Sequence, residues 1–268
     1  MTGPRTWIAA LRSSYDRLGA LVGPLSAPQL AGPSYCDDWT IAQVLSHLGS
    51  GAEIFGMFLD AGLSGGEPPG RESFQPIWDA WNARSPQQQA AAWRRSDAAL
   101  VERFESLGDE ALAGLRLAVF GMDLDAVGLM RMRLSEHTVH TWDVAVVLDP
   151  AARLAADGVD LLAGTLGQFA GRFGKPRGEH FRVAVHTTDP RLDLLLTVAD
   201  KVELTGEGTE PAAGRPALAG GPADGELRLP CEAFIRLMYG RLDPRHTPAE
   251  VAADGVSLDS VRAVFPGF

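Results

Sequence analysis

Glu136 and His140 stand four residues apart in the run LSEHTVHTWDV, Leu134 to Val144. On an α-helix that spacing stacks a carboxylate and an imidazole one turn apart on the same face. Two such groups can grip one divalent metal ion. The pair alone is not specific, because Glu and His at this spacing occur by chance on many helices, so a third donor has to come from elsewhere. The histidines are His47, His137, His140, His180, His186 and His246. His47 stands between Val44 and Leu48 at the flank of an apolar stripe, and its ring is expected to turn partly into the core. A buried, unpartnered Glu136 would be costly, which asks for something cationic opposite it. Arg133 could pair with it; a metal ion shared with His47 and His140 accounts for three polar positions together. His137 points roughly 60° away from His140 and is expected to be structural or supporting. Asp143, three residues beyond His140, lies on the ligand side and is placed to orient the second ring nitrogen. Read by itself, Asp143 is equally a solvated charge at a helix end.

Two histidines and one carboxylate leave a tetrahedral zinc ion with an open position, the pattern of a catalytic rather than a structural site. That position takes water or a thiolate. A free thiol is roughly 3% ionised at pH 7 and becomes ionised on ligation, a gain of about 2 kcal/mol.

These residues need helices to carry them. Leu129, Arg133, Glu136, His140, Asp143, Val144 and Val147 fall on one face of a helix predicted from about Asp123 to Leu148. An earlier helix carries His47: Thr40 and Gln43 make a capping box, Ile41, Val44, Leu45 and Leu48 form the stripe, and the end falls near Gly62. Ile8, Leu11, Tyr15, Leu18 and Val22 mark a first helix over Trp7 to Val22. After a Gly/Pro loop, SGGEPPGRES, a helical region runs from about Phe74 to Leu107 with a break at Ser85-Pro86. Beyond Pro150 the pattern changes. A helix is expected over Ala151 to Phe173, then strands FRVAVHTT and LDLLLTVA around an Asp-Pro turn, a Gly/Ala/Pro-rich stretch from Glu207 to Gly225, and short helices in LPCEAFIRLMYGRL and SLDSVRAVF. The expected fold class is α plus α+β: a helical bundle over 1–150 and a smaller α+β domain over 151–268.

The chain carries 24 basic and 34 acidic residues, a net charge of −10, which repels a phosphate backbone and argues against a nucleic-acid partner. No run approaches the roughly 18 apolar residues of a membrane span, and the N-terminal segment lacks the pattern of a signal peptide. Cys36 and Cys231 are far apart and form no CxxC pair, as expected for a protein of the reducing cytoplasm. A monomer and a homodimer are equally compatible with the sequence.

Two segments, PSYCDDWTIAQVLSHLGSGAEIF and RMRLSEHTVHTWDVAVVLDP, resemble the signature regions of the mycothiol-dependent maleylpyruvate isomerase family, within the broader DinB-like superfamily. The shared positions are Cys36, Trp39, Thr40 and His47 in the first segment, and Glu136, His140 and Asp143 in the second. VAVHTTDP, LPCEAFIRLMYGRLDP and the terminal VFPGF are similar to the sterol-carrier-like C-terminal domain of that family, with a long Gly/Pro insertion in the sheet region. The resemblance implies a DinB-like four-helix bundle holding zinc through His47, Glu136 and His140, with mycothiol as the thiol. It implies addition of the thiol to a small electrophilic substrate, ending in cis-trans isomerisation or in S-conjugation. Arg241 in YGR is the candidate to hold an anionic substrate or steady an enolate, because its planar fork matches a carboxylate. Two other readings use the same residues differently: a DinB-like metal-dependent hydrolase that activates water, and a non-catalytic binder whose C-terminal half holds an apolar small molecule or lipid. The loops Ser64 to Ser73 and Glu207 to Gly225 are where substrate choice is expected to be written.

Overall fold

Four long helices make up most of the first of two compact units, Met1–Ala152 and Arg153–Phe268. The computed structural model of the protein describes residues 2–206 and 222–267. The four helices are α1 (Pro4–Val22), α3 (Ile41–Ser64), α5 (Pro86–Ser106) and α7 (Ala126–Leu148). Between them lie α2 (Ala27–Leu30), α4 (Phe74–Asn82), α6 (Asp109–Gly114) and a hairpin of β1 (Arg116–Val119) and β2 (Met122–Asp125). Helix α1 packs on α5 and α7, and α3 packs on the same two, which closes the bundle. Its core includes Leu18, Val44, Leu45, Leu48, Trp81, Trp93 and Val144.

The helix starts follow local chemistry. Thr40 Oγ1 accepts from the Gln43 amide at 3.1 Å while Gln43 Oε1 accepts from the Thr40 amide at 2.8 Å, a reciprocal cap that satisfies amides with no partner inside the helix. Ser85 and Gln88 repeat the arrangement at the start of α5, just after the expected break. Gly65 ends α3 in the left-handed region, φ 65°, where glycine carries no Cβ penalty.

Helix α7 ends at Leu148 as expected but starts later. Its first turn is at Ala126, because Met122 to Asp125 pair as a strand with Arg116 to Val119. Phe120 and Gly121, both at positive φ, make the two-residue turn that matches strand twist. Asp125 then caps α7, accepting from the Gly128 amide at 2.8 Å. In the last turn Val147 is exposed, 41%, where the helix emerges from the bundle. Between these ends α7 is buried on nearly every side, with Met130, Leu134, His137, Val139 and Trp142 as enclosed as Leu129 and Val144. It is therefore a central helix with no single apolar stripe.

The second unit is a five-stranded sheet flanked by short helices. The expected helix over Ala151 to Phe173 is two, α8 (Ala156–Ala163) and α9 (Leu166–Phe173). The break is at Thr165, whose hydroxyl donates to the Leu162 carbonyl at 2.7 Å and so competes with the helical ladder. Strands β3 (Phe181–Thr188), β4 (Asp193–Val198), β5 (Val202–Gly206), β6 (Gly225–Pro230) and β7 (Ala252–Asp254) lie in the order β5-β4-β3-β6-β7. Neighbours are antiparallel except β3 and β6, which are parallel. The expected strand pair is β3 and β4, and the alternation of Val183, Val185 and Thr187 with Leu194, Leu196 and Val198 buries one face. The Gly/Ala/Pro stretch expected between Glu207 and Gly225 lies, up to residue 221, outside the described residues. Helix α10 (Cys231–Met238) is buried at every residue, and α11 (Leu258–Val264) closes the described chain. The buried charges of α10 are satisfied by one another, Arg236 pairing with Glu232 at 2.8 and 2.9 Å. Burial pushes the Cys231 thiol up to about 12, so it is a protonated packing group. Among the described residues no helix is long and apolar enough to cross a membrane.

Gly49 tests the bundle packing, since a Cβ there would overlap the Trp81 ring, whereas at Gly56 on the same helix it would meet nothing within 4 Å. Gly49→Ala is expected to lower stability by about 1–3 kcal/mol despite better helix propensity. Gly56→Ala is expected to raise it by about 0.4–1 kcal/mol, both read from urea unfolding.

Candidate metal centre

His47 comes from α3, and Glu136, His140 and Asp143 come from the facing helix α7. His47 Nε2 lies 3.1 Å and His140 Nε2 3.7 Å from the same oxygen, Glu136 Oε2. The two imidazoles meet edge to face at 4.7 Å. One donor atom from each of the three residues lies within 4.8 Å of the others, a spacing that a single ion bridges. His140 is buried, while His47 and Glu136 are partly exposed, so the cluster is reachable from solvent. Asp143 is fully buried, and its Oδ2 lies 2.8 Å from His140 Nδ1. The ring proton therefore sits on Nδ1, and Nε2 keeps its lone pair for the side where Glu136 and His47 are.

The protonation states suit a cation. Desolvation among the helices would raise the Glu136 carboxyl, but the hydrogen bond with His47 and the charges of His140, His47 and Arg133 outweigh it and hold it at about 2. Burial lowers the His47 imidazole, against the pull of Glu136. An ionised carboxylate beside a neutral imidazole is the form in which both bind metal.

Arg133 does not pair with Glu136, contrary to one of the two sequence expectations. Its Nη2 donates to the Leu48 carbonyl at 2.8 Å and to Asp97 Oδ1 at 2.5 Å. Asp97, on α5 in the stretch RRSDAAL, is a residue that sequence reasoning missed. It is fully buried, and its other oxygen accepts from Trp93 Nε1 at 2.9 Å and meets His137 Nε2 at 2.7 Å. His137 reaches Ser14 Oγ on α1 at 2.8 Å through its second nitrogen. His137 is thus a structural residue that joins α1, α5 and α7. The one signal in the sequence was the Trp93–Asp97 spacing of four. Burial would raise Asp97, but Arg133 and His137 hold its carboxyl well below the usual range. With Arg133 engaged in this way, the ion pairs of Glu136 among the described residues are with His47 and His140.

A loop between α2 and α3 closes over the cluster. Pro33 and Thr40 bridge its ends, Ser34 and Trp39 bond across it at 2.9 Å, and Asp38 turns it at φ 65°. The loop sets the Trp39 ring 5.3 Å from His47 and nearly parallel to His140 at 6.2 Å. It also brings Cys36 Sγ to 3.0 Å from Asp143 Oδ2 and 3.9 Å from His140 Nδ1. Cys36, His140 and Asp143 form a second group of donors close enough for an ion. Their 2.8 and 3.0 Å separations are those of hydrogen bonds converging on one carboxylate oxygen. Arg241 belongs to the other unit, just after α10; it is buried, and its Nη1 donates to the Tyr239 carbonyl at 2.6 Å.

Residues 11–145 match the family described as the mycothiol maleylpyruvate isomerase N-terminal domain. The chain belongs to that family. The match runs from α1 into α7 and takes in Cys36, His47, Asp97, Glu136, His140 and Asp143. Among its relatives, uncharacterised proteins from two strains of Mycobacterium tuberculosis are 31% identical over 156 residues, 55% of this chain. The chain spans 58% of the length of each. Its fold is that of a crystal structure of the mycothiol-dependent maleylpyruvate isomerase, with a TM-score of 0.66 at 14% identity over 94% of this chain and 95% of that one. A histidine-to-alanine variant of that isomerase matches equally. The α plus α+β architecture is therefore a property of the family fold.

Asp97 gives a test of the buried network. Asp97→Asn leaves the Arg133 guanidinium short of its charged partner and is expected to cost about 3–5 kcal/mol in chemical unfolding. Because the folded pKa of Asp97 lies below its unfolded value, its contribution is present above about pH 4 and is lost as pH falls below that. Stability of the native protein should therefore drop more steeply than that of the variant between about pH 5 and 2.

Proposed function

We propose that this family member is a mycothiol-using enzyme in which His47, Glu136 and His140 hold a divalent metal, zinc by the donor set, and that it joins the thiol to an electrophilic carbon of a small substrate. The outcome is cis-trans isomerisation or S-conjugation of that substrate. The observation that carries the reading is the convergence of His47, Glu136 and His140 donor atoms within 4.8 Å, with Arg133 turned away to Asp97. A metal bound there supplies a Lewis acid that ionises a thiol of pKa about 8.5 at neutral pH, worth roughly 2 kcal/mol.

The chain's own residues prepare that site. Glu136 brings a negative charge already formed at neutral pH. Asp143 fixes the His140 ring and its tautomer. Trp39 lies against both imidazoles, which limits water on that side and strengthens electrostatics within. Asp97 restrains Arg133, so that the guanidinium does not compete for the Glu136 oxygens. Support for the thiol comes from the family of the N-terminal domain and from the isomerase that shares the fold. Arg241, on the second unit, enters as the guanidinium that recognises a substrate carboxylate, its planar fork matching that group.

Elemental analysis of the purified protein should give about one zinc per chain, falling at least ten-fold in His47→Ala and Glu136→Gln. Stoichiometric metal in both variants would sink the three-ligand assignment. Maleylpyruvate or a bimane electrophile should turn over with mycothiol; equal rates with glutathione or without any thiol would remove the cofactor from the proposal. Arg241→Ala should raise KM for a carboxylate-bearing substrate while leaving zinc content unchanged.

A further inference from the structure

We propose that Cys36 is a positioning residue for metal binding: its thiol donates to Asp143, keeps that carboxylate aimed at His140 Nδ1, and so holds His140 Nε2 unprotonated and turned toward His47 and Glu136. The inference rests on the metal reading above for its purpose, but its geometry is independent of it. Asp143 is fully buried, and a buried carboxylate is stable only where donors replace its water. Two donors converge on the single atom Oδ2, His140 Nδ1–H at 2.8 Å and Cys36 Sγ–H at 3.0 Å. The loop that brings the thiol is itself tied to the same residue, the Tyr35 amide donating to the Asp143 carbonyl at 2.9 Å. The Tyr35 ring packs edge-on against Trp142 at 4.8 Å. Side chain and backbone of Asp143 are thus both held by Tyr35 and Cys36.

The chemical consequence falls on the imidazole. A neutral histidine carries its proton on whichever nitrogen faces the stronger acceptor, and here that acceptor is Asp143 Oδ2. A thiol that donates to Oδ2 from the loop side limits rotation of the carboxylate away from Nδ1. Without that donor the carboxylate is freer to turn, and the Nε2–H tautomer, which cannot ligate through Nε2, gains population. In that bond Sγ is the donor to Asp143 Oδ2, so Cys36 acts here as a hydrogen-bond partner and not as a metal ligand. Of the two cysteines it is the partly exposed one; Cys231 is buried. A serine in its place retains an O–H donor, and an alanine does not.

The test compares the full-length native protein with Cys36→Ala and Cys36→Ser, each checked for folding by circular dichroism. Long-range 1H–15N spectra of the metal-free proteins, with His140 assigned by its loss in His140→Gln, report the tautomer directly. The native protein and Cys36→Ser should show the Nδ1–H form, and Cys36→Ala a mixture with Nε2–H. Zinc affinity by chelator competition should fall about ten-fold in Cys36→Ala and stay within about three-fold of native in Cys36→Ser, the scale seen when partners of metal-ligating histidines are removed. The visible band of the cobalt-substituted protein should shift in the alanine variant alone. The proposal is overturned if Cys36→Ala keeps both the native tautomer and the native affinity, or if Cys36→Ser fails in the same way as Cys36→Ala. A native protein that binds no zinc would refute the function proposed above, while the tautomer comparison would still decide the role of Cys36.

Discussion

Asp97 takes the guanidinium of Arg133, and that buried ion pair governs what the next carboxylate along α7 has left to meet. Both residues are almost wholly enclosed, so neither can exchange its partner for water without a large desolvation cost. The pair also fixes positions: Arg133 reaches the Leu48 carbonyl of α3, and Asp97 holds Trp93 and His137. With His137 also reaching Ser14 of α1, four helices are keyed to one another by directional bonds, in addition to the non-directional packing of Trp81, Trp93 and the leucines around them. Such a network specifies helix register in a way that apolar contacts alone do not.

Glu136 is the beneficiary. With Arg133 committed elsewhere, its oxygens face the imidazoles of His47 and His140, and its ionised state is preserved. The two carboxylates of α7 then have complementary tasks. Asp143, enclosed, sets the orientation of an imidazole; Glu136, partly exposed, offers charge to whatever enters the cluster. The loop from Pro33 to Thr40 completes the arrangement by laying Trp39 over the two rings and by bonding to Asp143 through Tyr35 and Cys36.

Much of this architecture is local in origin and was legible in the residues. The capping boxes at Thr40 and Ser85 act over three residues, so α3 and α5 begin where the spacing predicts. The alternation in β3 and β4 acts over two. Where two local signals overlap, the stronger obscured the weaker. Met122 to Asp125 look like the head of a long helical pattern, yet they pair as a strand because Arg116 to Val119 offer a partner across a positive-φ turn. Thr165 splits an apolar stretch whose periodicity runs through it, because a hydroxyl bond to a backbone carbonyl leaves no mark on periodicity.

By itself the sequence determined that Glu136, His140 and Asp143 share one side of a helix, since a regular helix allows spacings of three and four no other outcome. It also singled out His47 as the third polar residue turned toward the core. Which charge answers which was decided only by the tertiary structure. Asp97 lies 36 residues from Arg133, and Cys36 lies 107 from Asp143, separations over which no periodic pattern carries information. Partner choice among buried charges depends on distances of a few ångströms between helices packed side by side. Those distances are set when the whole bundle closes, and they gave Arg133 to Asp97 and left Glu136 to the histidines.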